Sequence, residues 1–226
     1  MSLAHNHHHE MHGALTTRAA IASVSMALFL LVLKIFAAAE TGSVALLGSL
    51  ADTGFDVLAS LLTLFSVRYA ARPADDNHRF GHGKAEALSA LIQVVLVIVS
   101  AILIGWRAVD RLGSGETTAH PEYGIGVSII AIAATLGLLA YQRYVVRKTG
   151  SVAIHADHVH YQSDLLLNIA VIIGIALETI LHVRGADPVF GIAIAFWLLW
   201  GAYRAAQMAL DQLLDREWPE EKRQRF

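Results

Sequence analysis

The chain contains no cysteine. Disulfides, thiolate metal sites and cysteine nucleophiles are therefore excluded, and carboxylate and imidazole remain as the strong metal ligands. Charge is scarce as well. Only 16% of the 226 residues are charged while 55% are hydrophobic, against roughly 25% charged residues in a soluble domain. With a mean hydropathy of +0.52, this is the composition of an integral membrane protein. Nor does one sign of charge prevail. A formal net charge of -2 and a pI near 6.6 give no polyelectrolyte footprint, so nucleic acid is excluded as a partner. The segment Met1 to Thr17 is polar and histidine-rich, without the successive basic region, apolar segment and cleavage site of a signal peptide. It reads as a flexible tail (residues 1–17) before a retained first span.

What the chain does have is length of apolar run. A bilayer core of about 30 Å takes about 20 helical residues, and six segments qualify, near 18–39, 44–70, 85–109, 123–146, 153–182 and 188–213. The joints between them are short, so consecutive helices are expected to be antiparallel neighbours in one all-α, six-helix transmembrane bundle. Orientation follows from lysine and arginine. With the N-terminus inside, the inner side collects Arg18, Arg68, Arg72, Arg79, Lys84, Arg143, Arg147, Lys148, Arg204 and Arg216, whereas the outer side holds only Arg107, Arg111 and Arg184. Both termini are thus expected in the cytoplasm and the protein in the cytoplasmic membrane. Lys34 is left within the first span and is expected to snorkel toward the outer surface. Trp106, Arg107 and Trp200 read as interfacial anchors.

Against this apolar background two short motifs stand out, Ser-Leu-Ala-Asp-Thr-Gly-Phe-Asp at 49–56 and His-Tyr-Gln-Ser-Asp at 160–164. Residues four apart share a helix face, so Asp52 stacks over Asp56 and His160 over Asp164. At 1.5 Å per residue, Asp52 and Asp56 lie roughly 12 to 18 Å below the outer end of the second helix. His160 and Asp164 lie roughly 10 to 17 Å from the inner end of the fifth. The two pairs are level. Each intramembrane carboxylate costs about 2.5 to 3.5 kcal/mol even on a lenient scale, and such residues are rare and functional by default. A divalent cation removes that penalty, and three oxygens with one nitrogen suit tetrahedral Zn²⁺ or its larger relative Cd²⁺. The plainer alternative, in which each acid merely bonds a neighbouring helix, accounts poorly for two pairs at matched depth. Asn168 extends the polar stripe of the fifth helix.

Three other segments carry metal-ligand side chains. The loop 71–84 holds Asp75, Asp76, His78 and His82. An Asp-x-x-His-x-x-x-His spacing fits a metal site and a plain solvated loop equally well. His5, His7, His8, His9 and His12 form a tract of compositional weight only, for which an unstructured tail with incidental metal affinity is the simpler reading. His155, Asp157 and His158 read as polar decoration of a helix end.

With these residues in view, the chain resembles the cation diffusion facilitators, zinc and related metal exporters that exchange metal for protons. The resemblance covers Thr17 to Gln224, most specifically 49–56, 160–164 and Pro-Ala-Asp-Asp-Asn-His-Arg-Phe-Gly-His-Gly-Lys-Ala-Glu at 73–86. It implies a transport site of Asp52, Asp56, His160 and Asp164, with the histidine favouring zinc and cadmium. It implies a second metal site at the cytoplasmic face from Asp75, His78 and His82. It also implies a charge interlock between Lys84 and Asp215 near a homodimer axis. Members usually continue into a cytoplasmic ferredoxin-like domain, which is expected to be absent here because only Arg216 to Phe226 follow the last span. The expected function is proton-coupled efflux of divalent cations by alternating access, with no organic cofactor. The alternatives are a metal sensor or scaffold without transport, and a membrane metalloenzyme.

Overall fold

A computed structural model of the chain describes residues 2–41, 44–114, 121–180 and 186–215. Among them the architecture is all-α, with six helices: α1 (Ser2–Thr41), α2 (Val44–Ala70), α3 (Lys84–Ser114), α4 (Pro121–Thr149), α5 (Val152–Ile180) and α6 (Ala186–Leu213). Four contain stretches long and apolar enough to cross a membrane: His12–Ala37, Lys84–Asp110, Ser128–Thr149 and Val189–Leu213. The two helices that carry the paired ligands, α2 and α5, set those polar side chains in otherwise strongly apolar runs.

The helix ends fall close to the predicted spans except at the start. The predicted boundary at residue 17 is not seen, because α1 runs unbroken from Ser2. No proline interrupts this stretch, and its turns from Thr16 onward are packed. Thr16, Ala19 and Ala20 are buried, the last two in a cluster with Val67, Val145 and Ile154. The side chains of residues 1–11, and with them His5 to His9, lie outside the described set, as does the tail 216–226.

α5 is the axis of the bundle and packs against all five other helices. From Ser151 to Ala170 it has no exposed residue, as expected of a helix enclosed on every side. α1, α2 and α4 surround one flank, and the α3–α6 pair closes the other. Small residues let the backbones approach, as in other membrane bundles. Ala87, Ala90, Ala156 and Ala209 join α3, α5 and α6, and Val97, Ala101, Leu198 and Ala202 continue that seam. Large apolar side chains such as Phe65, Trp106, Phe196 and Trp200 point outward, where lipid takes the place of a protein core.

The α3–α6 seam is closest at Gly191, where a Cβ would lie 2.9 Å from the Ala108 Cβ. A branched side chain there has to separate two helix backbones. Gly191→Val is expected to destabilise the bundle by about 1 to 3 kcal/mol, read as a lowered Tm in detergent. Gly54, whose added Cβ meets nothing within 4 Å, is the tolerant comparison as Gly54→Ala.

Candidate metal centre

Asp56 lies three turns into α2 and His160 two turns into α5, and the two helices meet there. His160 Nε2 is 3.2 Å from Asp56 Oδ1 and 3.8 Å from Asp164 Oδ2. One ligand atom from each of the three residues lies within 4.8 Å of the others. Their side chains are 12%, 19% and 26% exposed for His160, Asp56 and Asp164, so the cluster is sheltered from solvent yet not sealed. Among the described residues, His160 Nε2 is buried without a well-aligned hydrogen-bond partner. A buried imidazole nitrogen facing two carboxylate oxygens at 3.2 and 3.8 Å has the geometry of a cation cradle. The fourth predicted ligand, Asp52, falls in α2 one turn before Asp56, and its side chain lies outside the described set.

A buried polar network packs beside His160 toward the N-terminal end of α5. Tyr161, next in sequence to His160, is wholly buried. Its hydroxyl donates to the Ser23 carbonyl of α1 at 2.8 Å and lies 2.9 Å from Ser60 Oγ of α2. Below it sits Asp157, also wholly buried. Asp157 accepts from Gln142 Nε2 of α4 at 2.7 Å and, at the limit of a hydrogen bond, from Thr63 Oγ1 of α2 at 3.5 Å. Gln93 of α3 donates to the same threonine, Gln142 also donates to Ser23 Oγ at 3.0 Å, and His158 Nδ1 lies 3.3 Å from Gln142 Oε1. Asp157 is therefore the centre of a polar network joining five helices and not helix-end decoration. The signal was its place one turn from His160 on the enclosed face of α5. Asn168 closes on its own helix, donating to the Asp164 carbonyl at 2.7 Å.

Lys34 departs from expectation. Its ammonium does not snorkel outward but donates to Thr53 Oγ1 at 2.6 Å, and Thr53 is wholly buried beside the ligand turn of α2.

Comparison with known proteins decides the family. Residues 20–214 match the family described as the cation efflux transmembrane domain. The chain belongs to the cation efflux family, the cation diffusion facilitators. It is similar to the cation-efflux pump FieF of Yersinia pestis (strain Pestoides F) and to that of Yersinia pseudotuberculosis serotype O:3 (strain YPIII). Each is 45% identical over 208 residues, which cover 92% of this chain and 69% of the relative. The protein is accordingly a metal-cation efflux transporter, multi-pass in the inner membrane, and not an enzyme. Membership of an efflux family sets aside the metalloenzyme and the non-transporting sensor.

In this cation efflux protein the loop after α2 also gathers its ligands. Asp75 Oδ1 accepts from the backbone N–H groups of Asn77 and His78 at 3.0 and 2.6 Å and lies 3.0 Å from His78 Nδ1. Asp75 Oδ2 is 3.5 Å from His82 Nε2. Gly81, at φ +79°, turns the chain so that His82 reaches back, with its ring 4.4 Å from that of His78 and 4.7 Å, edge-on, from that of Tyr69. Asp75 and His78 are exposed and His82 is buried. Asp76 is exposed and lies outside the cluster. The His78 N–H holds the Asp75 carboxyl below the ordinary carboxylate range. Because the folded value is the depressed one, the turn's stabilisation is complete above the ordinary value and is lost as pH falls through the lower folded one. The amide shifts of Asn77 and His78 are therefore expected to titrate with a midpoint below that of a free aspartate. Asp75→Ala should abolish that titration.

Lys84, the first residue of α3, donates to Asp215 Oδ2 at 2.8 Å and to the Leu213 carbonyl at 3.1 Å. The pair joins the ends of α3 and α6 within the chain. Both side chains are more than half exposed, so the ion pair itself contributes about 0 to 1 kcal/mol.

Proposed function

We propose that the protein exports divalent cations, Zn²⁺ and Cd²⁺ among them, in exchange for protons, by alternating access at a site of Asp52, Asp56, His160 and Asp164. One observation carries the reading: oxygen and nitrogen ligand atoms from α2 and α5 converge inside the bundle around the buried His160 Nε2. Borderline metals accept a mixed imidazole and carboxylate set, and the charge of the acids replaces the cation's hydration. Proton coupling follows from the same ligands. Imidazole and carboxylate bind metal only when deprotonated, so metal and proton compete for one set of lone pairs. A protonated, metal-free site can then recross the membrane without bare carboxylates. In this reading the six helices are six spans with both termini cytoplasmic, Asp75, His78 and His82 form a second metal site, and the carrier is a homodimer with the Lys84–Asp215 pair near its axis.

The test is flux into proteoliposomes of the purified chain, with Zn²⁺, Cd²⁺, Mn²⁺ and Fe²⁺ compared and internal pH recorded. Uptake of Zn²⁺ and Cd²⁺ accompanied by counterflow of protons is expected. Equal rates for all four metals would overturn the selectivity, and metal movement without a pH change would overturn the coupling.

A further inference from the structure

We infer that Lys34 is a tethered counter-cation of the carboxylate site, an ammonium built into α1 that offsets the site's negative charge and limits how tightly the metal is held. The inference rests on the metal-site reading above. An ammonium within a span is expensive and is retained where it has a charge to answer. Lys34 lies in the apolar stretch His12–Ala37, near enough to its outer end for a four-carbon stem to reach the interface. It turns inward instead, to Thr53 Oγ1 at 2.6 Å. Thr53 stands three residues before Asp56 on α2, one turn along the same face, and directly follows Asp52. Three helices thus meet at the metal centre, with Asp56 on α2, His160 and Asp164 on α5, and the Lys34 ammonium of α1 held one turn of α2 away through Thr53.

Charge arithmetic gives this placement a consequence. Asp52, Asp56 and Asp164 carry three negative charges, and a divalent ion with Lys34 carries three positive ones. The loaded site is then neutral with His160 uncharged, the state that costs least in a low-dielectric interior. Without Lys34 the empty site carries all three negative charges unopposed, and what a divalent ion gains on entering that stronger field outweighs the one unbalanced charge left when the site is loaded. The affinity for a cation therefore rises. A carrier gains nothing from a cation it cannot release, because conduction and transport require binding weak enough to leave. Lys34 is therefore a positioning charge that sets release, and it is not itself a ligand.

The experiment is isothermal titration of the full chain with Zn²⁺ and with Cd²⁺, in an Asp75→Ala background that silences the loop site, paired with efflux from proteoliposomes. Lys34→Met and Lys34→Gln are expected to bind tenfold or more tightly, about 1.4 kcal/mol, and to turn over more slowly. Lys34→Arg is expected to restore the wild-type affinity. Thr53→Val, which removes the hydrogen bond and keeps the charge, should leave the affinity far closer to wild type than Lys34→Met does. If Lys34→Met fails to fold, Lys34→Gln, which can still donate to Thr53, carries the measurement. Unchanged or weaker binding in the neutral variants overturns the inference, as does an equal effect of Thr53→Val. Asp56→Asn is titrated alongside. Loss of binding there with no change at Lys34 sinks the counter-cation alone, whereas retained binding in Asp56→Asn sinks the metal-site reading beneath it.

Discussion

Asp56→Asn is expected to reduce metal efflux by about 100-fold or more, with little loss of folded protein. The substitution keeps the size and planarity of the side chain, so the contact between α2 and α5 persists. What it removes is charge. Loss of a residue that merely orients a ligand lowers metal affinity by about 10 to 100-fold, and loss of a charged ligand exceeds that. The amide oxygen can still ligate, but the set that must strip a hydrated divalent ion now has one negative charge fewer.

Folding and transport should separate in this variant. In the metal-free protein the ligand atoms of Asp56 and Asp164 lie within 4.8 Å of each other, and like charges so close disfavour one another. Asp56→Asn relieves that repulsion, so the metal-free Tm is expected to equal or exceed that of the unmodified protein. The rise in Tm on adding Zn²⁺, by contrast, should disappear, because a ligand that no longer binds the native state cannot stabilise it. Asp76→Asn, on an exposed loop residue outside both clusters, should leave efflux and the metal-induced rise intact. Near-normal efflux in Asp56→Asn would remove Asp56 from the site.

The helices and the site pairs were legible because each rests on a local rule. An apolar run of about 20 residues specifies a span whatever surrounds it. A four-residue interval places Asp52 with Asp56 and His160 with Asp164 on any helix. The spacing could not say which face of α2 meets which face of α5, and that step needed the depth argument and the resemblance. Where a side chain had two destinations, the sequence was silent. Lys34 has a stem long enough for the interface or the interior, and the packing of α1 on α2 decides for the interior. Asp157 looked like decoration because its partners Gln142, Thr63 and Ser23 are on three other helices, and each alone is an unremarkable polar residue. The start of α1 is hidden for a related reason: histidine and asparagine lower apolarity without breaking a helix, so the helix begins well before the apolar run does.

Asp157→Leu is expected to cost about 2 to 3 kcal/mol of stability, the combined effect of lost interhelical bonds and unpaired donors. Asp157 is wholly buried, and the bond it accepts from Gln142 at 2.7 Å joins α5 to α4. Leucine fills the volume and offers no acceptor, which leaves a Gln142 amide proton in a place that water does not reach. The penalty therefore comes from stranding Gln142 more than from losing one bond. Removing both partners should recover much of it, so Asp157→Leu with Gln142→Leu is expected to be more stable than the sum of the single changes by about 1 to 2 kcal/mol. Asp157→Asn keeps an oxygen for Gln142 and an amide for Thr63, and should unfold close to the parent. The transport readout distinguishes a scaffold from a mere filler. The network holds α5 against α1, α2 and α4 within one turn of His160, so loosening it tilts the imidazole away from Asp56. A well-folded fraction of Asp157→Leu in lipid should then bind Zn²⁺ at least tenfold more weakly, although no ligand has been changed. If that fraction binds with the parent's affinity, the network stabilises the bundle without orienting its metal centre.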